Sequence, residues 1–194
     1  MIEVYRLDDL LKKYGIDVNK VLGKNDAILE CEEYQDIDKT LDYLINELGI
    51  SPRNIEKCPS IMYYAIDNVK ENYEFLVKVN VNINNVMSTL HILNTNPKVL
   101  KETYYYIRDN YGIEYINKTA SILKIRVSKI KEVEKIFSDK AIIIAAAYSK
   151  NSIEQLYEIV KICRKYNIKI TSSVFIISAT ELEKVAKVCR ENNI

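Results

Sequence analysis

Tryptophan is absent from this 194-residue chain, histidine occurs once, proline three times, and glycine and cysteine four times each. So few glycines and prolines leave little material for tight turns, which argues against an all-β sandwich or barrel. The cysteines, Cys31, Cys58, Cys163 and Cys189, are far apart with no CxxC pair, and His91 is the single histidine. A structural zinc site needs ligands paired at short spacing, so no metal is expected, and no cofactor is implied. The opening MIEVYRLDDLL lacks the basic and apolar regions of a signal peptide. The expectation is a reducing, intracellular, cytoplasmic setting without a disulfide framework. The longest apolar run, Ala141–Tyr148, falls well short of the roughly 18 residues that span a membrane. GxxxxGK[ST], GxSxG and HExxH are missing, so no catalytic residue is assigned and no enzyme is expected. An excess of one charge is missing too, with 28 Lys+Arg against 27 Asp+Glu. That excludes a uniformly basic nucleic-acid-coating protein.

What the chain does have is a repeat. An apolar residue, four further residues, Gly or Asn (Ala in one copy), then Ile or Val recurs as LLKKYGI, LINELGI, FLVKVNV, IRDNYGI, IFSDKAI, ICRKYNI and VCRENNI. The sixth residue of each copy falls at 15, 49, 80, 112, 141, 167 and 193, and Ile or Val always follows it. Apolar residues eight, five and four before that landmark would form one face of a helix. Gly or Asn at the landmark suits a left-handed cap, with the next Ile folding back on the last turn. A shorter second helix fits in what remains, and Ser51-Pro52 reads as an N-cap followed by Pro at the first helical position. A period of 26–34 residues predicts an all-α, right-handed solenoid of about seven degenerate repeats, forming a single domain over residues 1–194. KITSSVFIIS (Lys169–Ser178) alone would pass for a strand, and only the register makes it helical. The chain stops at Ile194, one residue past the last landmark, without a polar capping helix, which suggests a fragment or end-to-end self-association.

Two stretches, LGISPRNIEKCPSIMYYAIDNVKENYEFL (Leu48–Leu76) and ILNTNPKVLKETYYYIRDNYGI (Ile92–Ile113), resemble repeats of the mitochondrial transcription termination factor family. Such repeats carry a Leu-Gly-(Leu/Ile) step, an apolar residue six after the Gly, Pro followed by two apolar residues, and a helix ending in Phe-Leu. The pattern lands on Gly49, Ile55, Pro59, Ile61, Met62, Phe75 and Leu76, and in the second stretch on Pro97, Val99 and Leu100. The resemblance covers residues 37–136, and the last two units depart from it, having 26 residues and no Pro. It implies a curved helical protein whose basic concave face tracks double-stranded DNA or structured RNA through scattered Lys and Arg.

Charge placed on this register is uneven. Residues 1–97 carry 10 Lys+Arg against 16 Asp+Glu, and residues 98–194 carry 18 against 11. The densest basic stretch is 118–140, and Arg164 and Arg190 share the position three before the landmark, where stacked repeats would align them. The candidate contacts are Lys101, Arg108, Lys118, Lys124, Arg126, Lys129, Lys131, Lys135, Arg164, Lys165 and Arg190. A local field of this size acts on a polyanion despite the neutral total. In Tyr104-Tyr105-Tyr106 not every ring can point inward, and an exposed one could stack on a base or serve as rim packing. Cys163 and Cys189, four before the landmark, read as small core residues. The acidic cluster Glu30, Glu32, Glu33, Asp36 and Asp38 reads as an exposed loop or helix start. The expectation is a non-catalytic nucleic-acid-binding protein, a transcription or RNA-related regulator without membrane association. The alternative is a scaffold whose concave surface takes a protein or peptide.

Overall fold

The computed structural model describes residues 7–22 and 34–192. Glu30, Glu32 and Glu33 of the acidic cluster, Cys31, and the last landmark Asn193 with Ile194 lie outside them. Among the described residues the fold is all helical, in two compact units, 1–124 and 125–194. The first contains α1 (Leu7–Lys13), α2 (Val18–Leu22), α3 (Tyr34–Asp42, running on into a π turn at Tyr43–Glu47) and α4 (Pro52–Lys57). It continues with α5 (Ile66–Lys78), α6 (Ile83–Ser88), α7 (Pro97–Asn110) and α8 (Ile113–Lys118). The second contains α9 (Val127–Glu134), α10 (Lys140–Tyr148), α11 (Ile153–Tyr166) and α12 (Ala179–Glu191).

Every positive φ among the described residues falls on a landmark: Gly15 at 68°, Gly49 at 66°, Asn80 at 56°, Gly112 at 104° and Asn167 at 53°. At Gly15, Gly49, Asn80 and Asn167 the next amide folds back as a helix C-cap requires, whereas at Gly112 the glycine's own N–H donates to the Ile107 carbonyl at 3.0 Å. Ile16 N–H donates to the Leu11 carbonyl at 3.0 Å, Val81 to Leu76 at 3.0 Å and Ile168 to Cys163 at 2.8 Å. Gly112 also begins α8 directly, and a side chain there would run into the Glu114 carboxylate. In these five copies the positions eight and five before the landmark hold Leu7 and Leu10, Leu41 and Leu44, Asn72 and Phe75, Tyr104 and Ile107, Ile159 and Ile162. All are 8% exposed or less. Asn72, the polar member of that series, donates through Nδ2 to the carbonyls of Leu93 (2.9 Å) and Thr95 (2.6 Å). A buried amide in that place satisfies two backbone acceptors that a leucine would strand.

After each of three caps in the first unit comes a short helix and then a 3-10 turn: α4 and Pro59–Tyr63, α6 and Leu90–Ile92, α8 and Ala120–Lys124. The residues joining them, Cys58, Thr89 and Thr119, share nearly one conformation, with φ between −147° and −133°. The 3-10 turns pack in a row, burying Ile61-Met62, Ile92-Leu93 and Ile122-Leu123 at equivalent places. Asparagines four residues before these joints bind one repeat to the next. Asn54 Nδ2 donates to the Met87 carbonyl at 3.2 Å, and Asn85 Nδ2 donates to that of Asn117. The equivalent of Pro59 is therefore Leu90; Pro97 begins the long helix α7, where Asn96 caps it by accepting from the Lys98 N–H at 3.0 Å. Ser51 occupies the α4 N-cap position ahead of Pro52 without a side-chain cap bond.

The second unit corrects the register at one landmark. Ala141 lies inside α10, because α9 ends at Glu134 and Asp139 starts a new helix by accepting from the Ile142 N–H at 3.0 Å. The alanines of α10 bury Ala146 and Ala147 closely against the unit, and Phe137 meets Phe175 edge-on at 5.5 Å. Residues 172–175 form a 3-10 turn with no short α-helix before it, which accounts for the shorter repeat. Asn151 Nδ2 donates to the Phe175 carbonyl at 3.0 Å, the role Asn72 plays in the first unit. Ser152 and Ser178 form capping boxes with Gln155 and Glu181.

Candidate nucleic-acid interface

Four candidate cations belong to the first unit. Lys101 is half-buried, its Nζ 2.7 Å from Glu71 Oε1 on the preceding long helix and 5.7 Å from the Phe75 ring centre. Arg108 donates through Nε to Asp109 at 2.6 Å and lies over the Tyr105 ring at 4.9 Å. Tyr105 is the exposed member of the tyrosine triplet, but its ring edges meet Phe75 (6.0 Å) and Tyr104 (5.4 Å), and Arg108 covers a face. Tyr104 and Tyr105 thus form an aromatic cluster with Phe75, held from two helices, while Tyr106 packs against Tyr111. Lys118 and Lys124 are exposed and make no ion pair among the described residues.

The second unit holds 13 Lys+Arg against 8 Asp+Glu. Several of its acids are occupied locally: Asp139 and Glu181 cap helices, and Glu183 accepts from Lys165 Nζ at 2.9 Å. Lys129 is half-buried with Nζ donating to the Ser149 carbonyl at 2.8 Å, and burial lowers its pKa. It closes the C-terminus of α10. Arg126, Lys131, Lys135, Arg164 and Arg190 are exposed. Of these, Arg126, Lys135, Arg164 and Arg190 make no ion pair among the described residues. The Lys165–Glu183 pair sets the last turn of α11 against the second turn of α12, so Arg190 lies about 10 Å further along α12.

Sequence reasoning missed one cluster. Cys58 Sγ and His91 Nδ1 are hydrogen-bonded at 3.1 Å, joining the first two 3-10 turns. Burial raises the Cys58 thiol pKa above its usual value. His91 is held below the usual histidine value by burial and then by the Lys124 charge. Both groups are therefore neutral near pH 7. Counting from the joints at 58 and 89 would have placed His91 beside Cys58; counting from the caps alone did not. Cys163 is buried and Cys189 half-buried, both as free thiols. Among the described residues no three His, Cys, Asp or Glu side chains are placed to hold a metal, and no helix is long and apolar enough to cross a membrane.

The mTERF family model matches residues 6–101, about half of the chain and within the first unit. No curated protein and no solved structure matches the chain. Proteins of the mTERF family are helical-repeat proteins that bind nucleic acid without enzymatic activity. The left-handed caps at Gly15, Gly49 and Asn80, the first two stacked 3-10 turns and the family match agree over the same residues: the chain is an mTERF-like helical-repeat protein.

Proposed function

We propose that this is a non-catalytic nucleic-acid-binding protein, a transcription or RNA-related regulator that holds the phosphates of double-stranded DNA or structured RNA. The observation that carries the reading is the set of exposed cations without acidic partners: Arg126, Lys135, Arg164 and Arg190 in the second unit, with Lys118 and Lys124 in the first. Lys131, exposed in the last turn of α9, adds positive charge to the second unit. Lys101, Arg108 and Lys165 carry local ion pairs and contribute less, and Lys129 contributes least. Phosphate contacts of this kind position the protein and carry no sequence information. The proposed setting is intracellular and reducing; family members are often organellar. Single-domain organisation over 1–194 belongs to the same reading, and thermal unfolding in one transition rather than two tests it.

The test is titration of the full chain into labelled duplex DNA and hairpin RNA at low and moderate salt. The reading expects binding that weakens steeply with salt. Absent or salt-indifferent binding favours the scaffold reading, which the exposed apolar side chains Ile176, Val185 and Val188 support.

A further inference from the structure

Helix α12 turns Leu182 and Ala186 into its own unit. On the adjoining face Val185 and Val188 are each 55% exposed. They stand eight and five residues before Asn193, the positions that are 8% exposed or less in all five copies with a positive-φ landmark. With Glu181 and Asn192 they form a stripe at four-three-four spacing, the seam along which two helices pair. Elsewhere these positions are covered by packing of this chain's own repeats, and the occupant here must offer a matching helix.

We propose that α12 pairs antiparallel with α12 of a second copy, about a two-fold axis between Val185 and Val188. Each Val185 then meets the Val188 of the other copy. A two-fold interface must be complementary to itself. An antiparallel pair built on this seam sets residue 184 of one helix beside residue 191 of the other. Lys184 and Glu191 occupy those positions, both exposed and of opposite sign, so the axis generates two Lys–Glu pairs along the outer edge. The inner edge holds the uncharged Leu182 and Cys189. A seam on one 13-residue helix is smaller than a standard interface, so the dimer is weak and depends on concentration.

The test is the mass of the full chain in solution from about 10 to about 500 µM, the range in which an interface below standard size assembles. The mass should climb toward that of a dimer. Val185→Asp with Val188→Asp, both at exposed positions, should hold it at the monomer with unchanged helicity. Lys184→Glu should weaken association roughly fivefold, and adding Glu191→Lys should restore it, because the swap re-forms both pairs only in the antiparallel arrangement. A chain that stays monomeric throughout overturns the proposal. Association that survives the double Asp variant, or that ignores the charge swap, also overturns it.

Discussion

Lys129 Nζ donates to the Ser149 carbonyl at 2.8 Å, so a cation from the densest basic stretch serves the end of α10. Lys129→Ala should lower the stability of the second unit by about 1 kcal/mol by leaving that carbonyl unpaired. Its nucleic-acid affinity and salt dependence should stay at the native level. Denaturant unfolding and a salt titration of the same variant check both halves. A loss of affinity without loss of stability would put Lys129 at the interface instead.

The register makes opposite demands on two landmarks. Asn167 sits at φ 53° while Ala141 lies in the first turn of α10. Asn167→Gly should be neutral or slightly stabilising, because glycine meets no steric cost in the left-handed region. Ala141→Gly should cost up to about 1 kcal/mol, as glycine does within a helix. Thermal melts of the two variants give the comparison directly.

His91 is the chain's single histidine, so its titration by NMR is unambiguous. Its midpoint should lie below 6.5, since burial and then Lys124 disfavour the charged ring. The unfolded chain therefore takes up this proton first, and the first unit should lose stability as pH falls through 6.5 toward the folded midpoint. Lys124→Gln should raise the midpoint. Saturation with duplex DNA should raise it as well if a phosphate meets Lys124, and an unmoved midpoint would remove Lys124 from the proposed interface.

Much of the helical repeat was legible because a left-handed cap needs Gly or Asn, and few other residues supply it. Gly15, Gly49, Asn80, Gly112 and Asn167 could be read as helix ends for that reason. Ala141 matched the apolar spacing but lacked the one residue type that makes a cap, and α10 runs through it. Proline opens a 3-10 turn at Pro59 and an α-helix at Pro97, and composition does not separate the two roles. The Asn54, Asn72 and Asn85 bonds reach backbone carbonyls one repeat away, and such acceptors leave no trace in side-chain pattern. The candidate interface was legible as charge alone. Which cations are already spent, as with Lys129 on Ser149 or Lys165 on Glu183, depends on partners 20 and 18 residues away.

The central claim rests on Arg126, Lys135, Arg164 and Arg190 meeting phosphates. The slope of log affinity for duplex DNA against log salt, measured for the native chain and for the variant with all four changed to Gln, tests it most directly. The slope should become shallower by about 0.9 for each substituted residue that meets a phosphate, with helicity unchanged. Equal slopes and equal affinities for the two proteins would contradict the account.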